Sequence, residues 1–234
     1  MVLELILTGI CLIFCIFKAY FANKKSHVIE LILKTTASLL FVTIGLVSLI
    51  DRGFSEYGAT VVFAAVLGLV GDIFLSLKRI TNRPEKPTTA EKLPSYFGIL
   101  MFFMGHIVYS INMCSFTKFN YALTPVVFIL PICFIIVSLT KIFSTTKAET
   151  IFLVFYYLAI NIEIIGAVNI LLAGYTTLGI INLVAAALFF ISDSILGFRD
   201  HSSIKINKNV ANYAVMLTYY AAQCLYALSI CFAV

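Results

Sequence analysis

Two aspartates lie in runs too apolar to offer them water. Residues 64–79 read AAVLGLVGDIFLSLKR and residues 185–200 read AAALFFISDSILGFRD. Asp72 and Asp193 hold matching frames: Ala, Ala, Leu, Asp and Leu recur 121 positions on, and Lys78 or Arg199 follows each acid by six. An aspartate at the centre of a membrane helix costs about 2.5–3.5 kcal/mol on insertion scales, so acids there mark ion paths, proton relays or reaction centres. Paired carboxyls can divide acid–base work. One carries a proton, a form favoured by desolvation and by a neighbouring negative charge, while the other stays ionised. Glycosidases use this division around an oxocarbenium-like transition state.

Further polar side chains fall in similar apolar surroundings: Lys34; His106, Tyr109 and Asn112; Asn161 and Glu163; Tyr219, Tyr220 and Gln223. Spacings 106/109 and 219/223 place each pair on one helix face. Gly71 and Ser192 immediately precede the aspartates and permit close helix approach. Taken singly, the Tyr, Asn and Gln residues read equally well as polar contacts joining helices. An ion pair with Lys34 is the structural alternative for an aspartate. His106 reads as a hydrogen-bonding helix contact, and Glu163 as a neutral group bonded to Asn161 or a tyrosine.

Other chemistries lack their residues. There is no GxSxG elbow and no serine beside a His–Asp relay. The three histidines are His27 and His201, expected in loops, and His106, expected in a helix. No HExxH occurs, so no metal is expected. The six cysteines lie in or at the ends of apolar segments without a CxxC pair and read as packing residues.

The elements that must hold these groups follow from composition. The 234 residues are 62% hydrophobic and 12% charged, with mean hydropathy +1.05, which places the chain among membrane proteins. The net charge of +5 is too small and scattered to argue for nucleic acid. A spanning helix needs roughly 20 mostly apolar residues. Eight such segments are predicted at about 3–22, 28–50, 57–78, 94–117, 121–140, 150–173, 176–198 and 209–232. The expectation is an all-α, polytopic single membrane domain spanning 1–234. The segment 79–93, RITNRPEKPTTAEKL, reads as a flexible connector. Of the 16 Lys and Arg residues, all but Arg52 and Lys118 fall on one side of eight alternating spans. That side is cytoplasmic, and both termini lie opposite. The first segment lacks a basic n-region and reads as an uncleaved helix. Asp72 and Asp193 then sit about six and five residues from the cytoplasmic ends of their spans, ~8–9 Å at 1.5 Å per residue.

The repeat extends beyond the aspartates. FFMGHIVYSI (102–111) aligns with YYAAQCLYAL (219–228), matching His106 to Gln223 and Tyr109 to Tyr226. Two parallel four-helix halves, related by an axis along the membrane normal, would explain this and let the two aspartates face each other.

With GD at 71–72, GHIVY at 105–109, SDSIL at 192–196 and TYYAAQ at 218–223, in order on the third, fourth, seventh and eighth spans, the chain resembles the lysoplasmalogenase family, the YhhN-like, transmembrane protein 86 group. Lys34 sits where that family has a Lys-Pro pair, although Thr35 follows here. The resemblance covers nearly the whole chain. It implies hydrolysis of the vinyl ether of lysoplasmalogens, a class of lysophospholipid, to a fatty aldehyde and glycerophosphoethanolamine or glycerophosphocholine. The family's two suspected catalytic aspartates fall on Asp72 and Asp193; Glu163 lies outside its pattern.

That reaction suits the residues. A proton delivered to the carbon β to oxygen leaves an oxocarbenium ion; water adds, and the hemiacetal collapses. One aspartate would be the acid and the other the stabilising base, with no metal or cofactor. His106, Tyr109, Tyr219, Tyr220 and Gln223 would hold water and glycerol oxygens. Lys34, Lys78 and Arg199 would attract phosphate, although Lys78 and Arg199 equally serve the positive-inside rule. A proton-coupled transporter or lipid translocator is the competing reading, since paired intramembrane acids and repeats also describe carriers. The expected host is an internal membrane such as the endoplasmic reticulum, with a bacterial inner membrane as the alternative.

Overall fold

Inside hydrocarbon every backbone N–H and C=O must find a partner within the protein, which leaves helices as the natural solution for long apolar runs. The structure, a computed structural model, describes residues 1–24, 26–81, 89–139, 145–203 and 206–233. The helices are α1 (Val2–Asn23), α2 (His27–Arg52), α3 (Glu56–Thr81), α4 (Thr89–Phe116), α5 (Ile129–Leu139), α6 (Lys147–Leu172), α7 (Thr176–His201) and α8 (Lys208–Ser229), with 3₁₀ segments Tyr121–Phe128 before α5 and Ile230–Phe232 after α8. Eight segments are long and apolar enough to cross a membrane. The chain is an integral, multi-pass membrane protein, and no strand occurs among the described residues.

Four boundaries differ informatively from the sequence expectation. The α3 and α7 helices run on to Thr81 and His201, so Asp72 and Asp193 lie about 12–14 Å from their helix ends at 1.5 Å per residue, although the apolar span of α3 ends at Leu77. His27 opens α2 and His201 closes α7; neither stands in a loop. The fifth span begins as a 3₁₀ helix because of its prolines. Pro131 has no N–H for the carbonyl of Val127. The Asn161 side-chain amide takes that place, donating to the carbonyls of Val127 at 2.6 Å and Val126 at 2.7 Å. Asn161 thus completes a broken helix and does not reach Glu163. The predicted connector 79–93 lies largely outside the described residues.

Consecutive helices pack as neighbours from α1 to α4 and from α6 to α8. The α8 helix also meets α1, α2 and α3, and α4 also meets α6. The α8 helix is the most enclosed, whereas α5 leans on α6 and is largely uncovered. Exposed Leu5, Ile13, Ile32, Ile132 and Phe155 line the outer faces, as lipid contact requires. Four cysteines (Cys11, Cys15, Cys224 and Cys231) are buried as expected, Cys114 is half-buried and Cys133 is exposed on α5. Gly53 and Gly174, 121 positions apart, make the turns into α3 and α7 with φ of 85° and 97°, values that favour glycine.

Helix association in lipid relies on close van der Waals contact and polar bridges, because tails are as apolar as leucine. Gly71 shows the first. A Cβ there would lie 2.9 Å from the Phe102 ring and 3.1 Å from the Gly98 carbonyl; one on Gly98 would lie 3.1 Å from the Gly71 carbonyl. Two glycines thereby let the backbones of α3 and α4 touch beside Asp72. Gly71→Ala should therefore destabilise the bundle by about 1–3 kcal/mol, read as an earlier thermal unfolding transition in detergent.

Candidate active site

Asp72 is wholly enclosed among α2, α3 and α8. The Lys34 ammonium stands 2.9 Å from Oδ1. Oδ2 accepts from Ser38 at 2.5 Å and from Tyr219 at 2.9 Å, with the Tyr220 hydroxyl at 3.5 Å. Tyr220 also lies 3.1 Å from Ser38 Oγ and donates to the Lys34 carbonyl at 3.2 Å. Every neighbour of the carboxylate is a donor or a cation. A buried ion pair holds best when the remaining lone pairs are also met; here the hydroxyl donors all gather on Oδ2, and Oδ1 has the Lys34 ammonium alone.

Asp193 has a different setting. Its side chain retains 14% exposure. Tyr156 of α6 donates to Oδ2 at 2.6 Å, and His106 Nε2 of α4 lies 3.4 Å from the same oxygen. The other ring nitrogen of His106, Nδ1, is 2.6 Å from Glu163 Oε2, and Tyr226 of α8 donates to Glu163 Oε1. Glu163 is fully buried. Four helices are thereby tied together in one polar line, Asp193–His106–Glu163–Tyr226. Phe189 packs edge-on to His106, ring centres 4.4 Å apart.

No hydrogen bond joins Asp72 to Asp193 among the described residues; each carboxylate has its own partners. A packed crevice, too tight in this state to admit a water molecule, is lined by Ala64, Gly68, Phe102, Gly105, His106, Tyr109, Phe189 and Gln223. Neither aspartate lines it directly. Asp193 reaches it through His106. Asp72 reaches it through Tyr219, whose ring packs against Phe102 and Phe189 with centres 5.6 and 5.3 Å away. Gly68 makes room on this side: a Cβ there would lie 2.9 Å from the Gln223 amide nitrogen and 3.3 Å from the Tyr219 hydroxyl. Tyr109 donates to Gln223 Oε1 at 2.9 Å and stacks on Tyr226 with centres 4.2 Å apart.

The remaining candidates scatter. Ser192 donates to the Val215 carbonyl at 3.2 Å, joining α7 to α8, and Gly71 sets the α3–α4 approach. Asn112 donates to the Tyr57 carbonyl, away from the aspartates. Lys34 is committed to Asp72, and Arg199 to Asp200 and Asn212; the side chain of Lys78 lies outside the described residues. Sequence reasoning placed Glu163 beside Asn161 or a tyrosine. It meets a tyrosine, but its second partner is His106. One weak signal existed: no Lys or Arg occurs from 148 to 198, so an acid there has no cation of its own stretch and needs a partner from another helix. Among the described residues, no group of three His, Cys, Asp or Glu side chains is arranged to hold a metal ion.

Residues 29–230 match the YhhN family, and the chain belongs to it. No curated protein and no solved structure matches the chain.

Removing one partner of the Lys34–Asp72 pair should leave an uncompensated buried charge. Lys34→Met is expected to destabilise the protein by about 3–5 kcal/mol. Lys34→Met combined with Asp72→Asn should recover much of that loss in the same detergent unfolding assay.

Proposed function

We propose that this member of the YhhN family is an intramembrane hydrolase that cleaves the vinyl ether of lysoplasmalogens, with Asp72 and Asp193 as its carboxyl pair. The family is associated with lysoplasmalogenase activity. The observation that carries the reading is that two buried carboxyls, on α3 and α7, flank one interior crevice: Asp193 contacts the lining residue His106, and Asp72 holds Tyr219, which packs on the lining residues Phe102 and Phe189. The products would be a fatty aldehyde and the glycerophospho headgroup alcohol.

The unequal settings assign the roles. Asp193 is the more open carboxyl and has few donors, so it delivers the proton to the vinyl carbon. Asp72, fixed by Lys34, Ser38 and Tyr219, is the permanent anion. Because Tyr219 commits its proton to Asp72, its oxygen presents lone pairs beside the cavity. That polarity favours a developing oxocarbenium ion, and preorganised dipoles of this kind act strongly where water is excluded. Gln223 and Tyr109 hold water or a glycerol oxygen. The cavity is smaller than a lipid, so Phe102 and Gln223 must give way as the alkenyl chain enters.

The pairing is the one a parallel four-plus-four repeat would make, and three features favour such a repeat. Besides the matched aspartates, the turn glycines Gly53 and Gly174 share the 121-residue offset. The α2–α8 contact is mirrored by α4–α6, and the stacked tyrosines Tyr109 and Tyr226 are the residues the alignment equates. With the basic residues on the cytoplasmic side, the termini lie opposite and the site opens toward the cytoplasmic half.

Asp72→Asn and Asp193→Asn should each lower aldehyde release from lysoplasmalogen by at least about 100-fold while the purified proteins keep their elution profiles. Mass spectrometry of products from a panel of lysolipids, with and without the vinyl ether, reads this out. Wild-type turnover in either variant would remove the pair from the mechanism. Intact substrate crossing proteoliposome membranes, with no aldehyde formed, would replace the hydrolase by a carrier.

A further inference from the structure

We infer that Glu163 is a positioning residue of this site: by accepting the Nδ1 proton of His106 it turns the Nε2 lone pair toward Asp193 and makes His106 the base that receives the proton of the attacking water. The inference rests on the hydrolase reading for its chemistry, but its structural half stands apart from it.

The geometry leads there step by step. Glu163 is a fully buried acid in a stretch, 148–198, without Lys or Arg, a costly placement unless its lone pairs are met. Both oxygens have partners: Tyr226 on Oε1 and His106 Nδ1 on Oε2 at 2.6 Å. An acid bonded to one ring nitrogen of a histidine fixes the tautomer and aims the other nitrogen. Here that other nitrogen lies 3.4 Å from Asp193 Oδ2, and the ring itself lines the cavity. The titratable groups facing His106 are Glu163 and Tyr156 from α6 and Asp193 from α7; Tyr226 of α8 and Tyr109 of its own helix stand behind Glu163. The α3 wall offers only Ala64 and Gly68.

One proton then serves both Asp193 and His106. The cycle starts with it on Asp193, which accepts from Tyr156 and lies toward Nε2. Asp193 gives it to the β carbon of the vinyl ether. A C–H bond forms from the C=C π pair, and the positive charge passes to the C–O unit. Water adds to the α carbon and loses a proton to His106 Nε2, whose new charge Glu163 offsets. Transfer from Nε2 to Asp193 resets the site. The hemiacetal then breaks its C–O bond to glycerol as its hydroxyl proton moves to the departing oxygen. No proton is gained or lost over the cycle, and no oxidant or reductant takes part. The net charge of the Asp193–His106–Glu163 group is the same before and after the proton crosses, so the crossing demands no new charge in the bundle.

The test uses the full-length protein in detergent. The chain has only three histidines, so 15N-imidazole NMR of the wild type can resolve His106, assigned by its loss in His106→Asn. The expected spectrum shows Nδ1 protonated and Nε2 bare, with a far-downfield proton resonance that disappears in Glu163→Gln; a doubly protonated ring would overturn the inference. A bare Nδ1 in the wild type would overturn the inference without any variant needing to fold. Kinetically, Glu163→Gln should lower kcat by about 100-fold with KM nearly unchanged and displace the pH profile of kcat; Glu163→Asp should restore part of both. A folded Glu163→Gln with wild-type kcat and pH profile would overturn it as well. If the wild type releases no aldehyde from any lysolipid, the hydrolase reading fails, and the imidazole spectrum still decides whether Glu163 sets His106.

Discussion

Acid groups enclosed in an apolar bundle must be answered by donors, and the arrangement of this protein depends on how that demand is met. Asp72 is answered by an ammonium and hydroxyls from α2 and α8. Asp193 and Glu163 are answered by one imidazole and two tyrosines from α4, α6 and α8. Each answer crosses between helices, so the polar bonds that satisfy the acids also fix which helices are neighbours. Apolar packing alone would not choose among arrangements, because lipid competes equally for leucine and phenylalanine. Glycine contributes the complementary device, letting α3 and α4 touch at Gly71 and Gly98.

Two kinds of carboxyl result from the same demand. The Lys34–Asp72 pair is closed on itself and locked by two tyrosines and a serine. The Asp193 line is open at one end, where its side chain keeps partial exposure, and passes along a histidine that faces a cavity. In the proposed reaction the first would serve as a fixed charge and the second as the proton donor, the division that acid-assisted hydrolysis of an enol ether needs. The cavity between them is tight in this state, so the alkenyl chain has to displace side chains, and the reaction would proceed with bulk water held out.

Much of this was legible in the residues. The eight spans could be read because apolar runs of about 20 residues have few other uses. The repeat of Asp72 and Asp193 singled out α3 and α7. Tyr109, Gln223, Tyr219 and Lys34 were found by being polar at membrane depth. What spacing could not supply was which face of one helix meets which face of another. That is why the aspartates were expected to confront each other, when each instead reaches the cavity through His106 or Tyr219. It is also why Asn161, read as a partner for Glu163, turns out to mend the break that Pro131 makes in the fifth span. The phosphate contact expected of Lys34 and Arg199 meets side chains already engaged elsewhere.

The central claim is that a carboxyl of this bundle protonates carbon. Turnover of a lysoplasmalogen in deuterium oxide, with the aldehyde trapped at once by reduction, measures that step directly. The account predicts one deuterium on the carbon next to the former carbonyl in each product molecule. Aldehyde formed without deuterium at that carbon would contradict it.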